Sequence, residues 1–172
     1  MTRTVLEDAF GHHVWATLRL IDACLVLPPE QLDTTVPGTY GSILATIRHT
    51  VGADSSYCAL LSGGRVDEID EDTFGLAELR SAMERNGPAW AALVGGDLDP
   101  DATIVRRRKD GSTSTAPLGI RVAQAIHHGT DHRSQVCTAL TSLGIEPPAI
   151  DVWDYADGLG RLGDTPPTTA AE

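Results

Sequence analysis

The stretch from Gly119 to Leu143 contains no proline and carries Gln124-Ala125-Ile126-His127-His128-Gly129-Thr130-Asp131-His132-Arg133-Ser134-Gln135 at its centre. With nothing to break the hydrogen-bond ladder, the segment is predicted to be helical. On a helix His128 and His132 stand one turn apart on the same face, with Cβ atoms roughly 5–6 Å apart. Two imidazoles at that spacing either reach a common metal ion or belong to a solvated polar face. A useful metal site needs a third ligand from elsewhere in the chain.

Three other helices are predicted. From about Val5 to Leu27, Leu6, Phe10, Val14, Leu18, Ile21 and Leu25 recur at steps of three and four, one apolar stripe that Pro28-Pro29 terminates. His12, His13 and Trp15 lie on this helix, either as polar-face histidines with a core or rim tryptophan or as the wall of a pocket. After a connection from Pro29 to Thr39, Ser42 is placed to cap a second helix running to about Ser62, where Gly63-Gly64 ends it. Its seam is Tyr40, Leu44, Ile47, Val51, Cys58 and Leu61, interrupted by Asp54. His49 points nearly opposite that seam, on a face of small residues: Ser42, Ala45, Ala53 and Ser56, with Leu60. Either a close helix neighbour or a pocket explains so bland a face; an exposed histidine on a plain surface is the alternative. The acidic stretch Arg65 to Thr73 is loop-like. Phe74 to Leu93 reads as a third helix with Leu76, Leu79, Met83, Trp90 and Leu93 buried, kinked or divided at Pro88.

Between Asp101 and Pro117 the pattern changes to β-branched. Thr103–Arg107 and Ser112–Thr115, separated by Asp110-Gly111, predict a short β-hairpin over the bundle. The fourth helix spans Leu118 to Leu143 and closes at Gly144. Ile150 to Leu162 reads as a short helix docking through Ile150, Trp153, Tyr155 and Leu159. The fold expected is all-α: a four-helix bundle with a β-hairpin before the fourth helix and a short C-terminal helix, over residues 1–163. Residues 164–172, with Pro166-Pro167, form a disordered tail.

A formal net charge of −11 argues against a nucleic-acid surface. The basic run Arg106-Arg107-Arg108-Lys109 is either solvated or contacts an anionic ligand. No apolar run reaches membrane-spanning length. Glu7 and Asp8 fall where a signal peptide would be apolar. Cys24, Cys58 and Cys137 are odd in number and scattered, as expected of reduced core thiols in a cytoplasmic protein.

A histidine on the second helix and His-x-x-x-His on the fourth make a candidate three-imidazole site at His49, His128 and His132. Neutral imidazole suits zinc, nickel, copper or iron, and three protein ligands leave positions open, the catalytic arrangement. Asp54, interrupting an apolar seam, is the candidate for acid/base or supporting work, or is a solvated end-of-seam residue. Arg133 is expected to face a neighbouring helix as an ion-pair partner. Gln135 either lines the pocket or hydrogen-bonds within the bundle, and Asp131 supports His127 or bridges a cation.

The sequence His128-Gly129-Thr130-Asp131-His132-Arg133-Ser134-Gln135, then Leu143-Gly144-Ile145-Glu146-Pro147-Pro148 and Trp153-Asp154-Tyr155, resembles the C-terminal signature of the DinB/YfiT-like metalloprotein family. Ser42-Ile43, Thr46-Ile47, His49 and Val51-Gly52-Ala53-Asp54 are similar to its second-helix motif, and the resemblance runs from about Phe10 to Tyr155. It implies a four-helix bundle holding a divalent metal, zinc or nickel, through His49, His128 and His132. It also implies a homodimer. Characterised relatives include thiol-dependent enzymes, notably mycothiol-dependent maleylpyruvate isomerase and bacterial thiol S-transferases. The expectation is therefore a metal-dependent enzyme that activates a low-molecular-weight thiol, or water, against a small-molecule electrophile. A non-catalytic metal- or ligand-binding module and a bundle with incidental histidines are the alternatives. His13 and His127 stand where the family often has asparagine, and each either joins the ligand shell or lines the pocket.

Overall fold

A computed structural model describes residues 3–108 and 110–163. Four long helices form the bundle: α1 (Val5–Cys24), α3 (Ile43–Leu61), α4 (Leu76–Val94) and α5 (Leu118–Ser142). A one-turn helix, α2 (Pro29–Leu32), lies in the first connection. Strands β1 (Thr103–Arg107) and β2 (Thr113–Pro117) form the expected antiparallel hairpin ahead of α5, and α6 (Val152–Gly158) follows it. Packing runs α1 against α4, α4 against α3, α3 against α5 and α5 back against α1. The expected tail, 164–172, and Lys109 of the basic run lie outside the described residues.

Local chemistry sets the boundaries. Thr4 and Glu7 form a reciprocal capping box at the start of α1. The Ser42 hydroxyl accepts the Ala45 N–H at 3.2 Å, as its position implied. At the end of α5, Gly144 adopts φ +73°, and the Ile145 N–H reaches back to the Leu140 carbonyl at 3.0 Å. This left-handed turn closes the helix where a side chain would be strained. Pro88 does not divide α4, which continues unbroken to Val94. Pro88 and Glu84 both lie on an exposed face, so the carbonyl freed by the missing N–H meets water instead of apolar protein.

The core has two apolar layers. One gathers Leu20, Ile21, Ile47, Val51, Leu79, Met83, Val136 and Leu140. The other gathers Phe10, Cys58, Ala89, Trp90, Val94 and Val122. Between them every bundle helix contributes buried polar groups: His13 and Thr17 from α1, Asp54 and Ser55 from α3, Asn86 from α4, Arg133 from α5. This layer rotates the buried face of α1 away from the expected stripe. Leu6 and Leu25 are exposed, while His13, at 1% exposure, lies in the core and not on a polar face. Two other expectations fail for similar reasons. Tyr40, assigned to the α3 seam, precedes the helix and is exposed. Of the four residues expected to dock the C-terminal helix only Tyr155 is buried: the helix is confined to Val152–Gly158, Ile150 precedes it half-buried, and Trp153, 71% exposed, and Leu159 face outward. Among the described residues no helix is long and apolar enough to cross a membrane.

Candidate metal centre

His49, His128 and His132 converge between α3 and α5. Their ligand atoms all lie within 4.8 Å of one another, and among the described residues they are the one such group of three. Ring centroids are 4.9 Å apart for His49 and His128, 5.0 Å for His49 and His132, and 4.4 Å for His128 and His132. The i, i+4 spacing on α5 brings the last pair together; the packing of α3 on α5 supplies the third ring.

Hydrogen bonds orient two of the rings. His49 Nδ1 lies 3.3 Å from Glu71 Oε2, an acceptor that places the proton on Nδ1 and leaves Nε2 bare. His132 Nδ1 lies 3.1 Å from Gln135 Oε1. That oxygen also accepts the Tyr40 N–H at 2.8 Å, while the Gln135 amide nitrogen faces Asp131 Oδ2 at 3.3 Å. The amide orientation follows, since the reverse would set its NH₂ against the Tyr40 N–H. His132 therefore also turns a bare Nε2 inward. Outer partners that fix the tautomer in this way are the usual support of metal-binding histidines.

The donor set fits a divalent ion. His49 Nε2 and His128 Nε2 are 3.1 Å apart, close to the roughly 3 Å separation of two nitrogens each about 2.0–2.1 Å from one ion. Burial, then the neighbouring His132 and His49, hold the His128 imidazole down at about 4, so it is neutral and available as a donor at neutral pH. This shift has a stability consequence. An unfolded His128 takes up its proton below its ordinary 6.5, whereas the folded one stays neutral until about 4. Its contribution is complete above pH 6.5 and falls as pH drops toward 4. Chelator-treated protein is expected to show a denaturation midpoint that rises across this window, and a His128→Gln variant to show a smaller rise. Identical slopes for the two proteins would contradict the depressed value.

Two residues that the sequence did not assign to the site complete the surroundings. Tyr40 stacks flat on His49 at 4.0 Å, with 6° between the planes, and meets His132 edge-on at 5.4 Å. Glu71 comes from the acidic loop, and Gly52 lets it approach, because a Cβ there would lie 2.9 Å from the Glu71 carboxylate. No periodicity could have found either, since both lie in loops. The small-residue face around His49 opens onto a cavity of about 290 Å³ that includes His49, His128 and Arg106. A second, more apolar cavity of about 350 Å³, walled by Phe10, Trp15 and Trp90, touches none of the three histidines.

The other candidates fall elsewhere. His127 is exposed and outside the cluster. His13 is also outside it, with both ring nitrogens engaged: Nε2 donates to Asp54 Oδ1 at 2.8 Å and Nδ1 accepts from Arg133 at 3.0 Å. Asp54 lies 3% exposed in the polar layer, where Asn86 and Trp90 donate to it as well. Arg133 ties α5 to α1 through His13 and Thr17, and it also donates to the Thr130 hydroxyl on its own helix. Burial lowers it to about 10, opposed by Asp54, so it remains cationic at neutral pH. Gly129 is what admits the His13 ring beside α5, since a Cβ at that position would overlap it.

The sequence model of the DinB family matches residues 1–167. A comparison with curated proteins finds no match.

Proposed function

We propose that this chain, which belongs to the DinB family, is a metal-dependent enzyme that activates a low-molecular-weight thiol, or water, against a small electrophile. The observation that carries this reading is the convergence of His49, His128 and His132, with two of the rings oriented from outside by Glu71 and Gln135. An all-imidazole donor set suits zinc or nickel. An ion bound there would supply a Lewis acid that lowers the pKa of a thiol or water. The chain's own residues do the rest. Glu71 and Gln135 hold the imidazoles in one tautomer, Tyr40 covers one side of the site, and the adjoining cavity has room for a small substrate.

An external thiol is favoured by the state of the internal ones. Burial pushes both Cys24 and Cys58 up to about 12 and raises Cys137 as well. A thiol that stays protonated at neutral pH is a poor nucleophile, so Cys24 and Cys58 are poorly suited to replace an external thiol. The test is to load chelator-treated protein with zinc or nickel and screen small thiols against small electrophiles. The expected result is consumption of the electrophile that needs both metal and thiol. Full activity in the His49→Ala/His128→Ala/His132→Ala variant would refute the mechanism. One equivalent of metal retained, with no electrophile consumed by any thiol or by water, would instead make the site a non-catalytic binding module.

A further inference from the structure

Among the described residues the cavity beside the three histidines is lined by one arginine, Arg106, and its surroundings indicate what that cation binds. Along β1 the burial alternates, with Ile104 and Arg106 turned inward and Thr103, Val105 and Arg107 exposed. The hairpin register, Arg106 opposite Ser114, sets this side chain over α3. There its Nη2 donates to the Ser56 hydroxyl at 2.8 Å. Among the described residues Arg106 makes no ion pair, whereas Arg3, Arg80 and Arg161 each pair with a carboxylate on the surface. A guanidinium has five N–H donors in a planar fork that matches a carboxylate. Arg106 spends one donor on Ser56 and lines the same cavity as His49 and His128.

We propose that Arg106 anchors a single carboxylate of a small organic substrate, with the rest of that substrate held against the three-histidine site. The inference rests on the functional reading above and adds the substrate's chemical class to it. The same cavity is lined by Glu68 and Glu71, which repel a second negative charge, so phosphates and dicarboxylates are disfavoured. A volume of about 290 Å³ is at the small end for ligand sites and admits a compact metabolite.

The probes are crotonate and crotonamide, which share a shape and differ in charge. Their binding to zinc-loaded protein is measured by calorimetry or ligand-observed NMR, with metal content and circular dichroism as controls on folding. Wild-type protein is expected to bind crotonate at least about tenfold more tightly than crotonamide, as a charge-assisted hydrogen bond implies. Arg106→Gln is expected to abolish that preference and Arg106→Lys to keep part of it, since lysine retains the charge without the fork. A preference unchanged in Arg106→Gln, or one that disappears only when the metal is stripped, would show the carboxylate to be held elsewhere and overturn the proposal. Should the protein take up no metal at all, the catalytic reading fails on that measurement. An Arg106-dependent preference for crotonate would still support the anchor.

Discussion

Replacing His128 with alanine is expected to lower affinity for zinc or nickel by at least about a hundredfold, measured by competition against a chromophoric chelator. The bound follows from residues that only support ligands, whose loss costs about 10–100-fold; removing a donor itself costs more. His128 is the sharpest choice because its Nε2 lies 3.1 Å from His49 Nε2, a separation that suits two donors on one ion. A graded series strengthens the test. Glu71→Gln keeps an acceptor for the His49 N–H but removes the charge, and is expected to fall between wild type and His128→Ala. His127→Ala, exposed and outside the cluster, is expected to bind as wild type does. Equal affinities across the whole series would remove the three-histidine site from any account of function.

The second large effect is on stability. Asp54→Ala is expected to destabilise the fold by about 3–5 kcal/mol, the usual consequence of removing one member of a buried, hydrogen-bonded charge network. The substitution takes the common acceptor from His13, Asn86 and Trp90, and it leaves the Arg133 guanidinium deep in the bundle without its nearby negative charge. Urea titration should show a lower midpoint with little change in slope. Asp54→Asn is expected to lose less, because it keeps the shape and one acceptor oxygen, although its NH₂ faces groups that are themselves donors. Activity of the same variants, assayed well below the denaturation midpoint, separates two roles. A carboxylate that exchanges protons with substrate would abolish turnover in both variants while leaving metal content intact. One that only orders the polar layer would leave turnover in proportion to the folded fraction.

The polar layer explains where reading the sequence succeeded and where it failed. Periodicity identified the four long helices because each buries a stripe against its neighbours, and it flagged Asp54 as an interruption of the α3 seam. It misjudged α1 because His13 and Thr17, polar by composition, are core residues there. Thr17 donates to the His13 carbonyl of its own helix, but the His13 ring is tolerated in the core because Asp54 and Arg133, far away in sequence, supply its hydrogen-bond partners. Nothing in the neighbourhood of His13 announces those partners. Gly129 is similar: within α5 it reads as a weak helix former, and its value appears only when the His13 ring is seen against it.

The sequence by itself determined the helices, the hairpin, the capping of α3 at Ser42, and a His-x-x-x-His pair on one helical face. All of these are local: they depend on residues within a few positions of one another, through hydrogen bonds and side-chain spacing that a helix or strand fixes in advance. The family resemblance named His49 as the third ligand, and the tertiary structure brings it to that pair; only the tertiary structure decided that Glu71 and Tyr40 leave their loops to hold and cover the site, and that His13 belongs to the polar layer instead of the site. The decision rests on how α3 packs against α5 and where the connecting loops fold back. Those contacts join residues far apart in the chain, and the packing of the whole bundle brings them together, which no local pattern encodes.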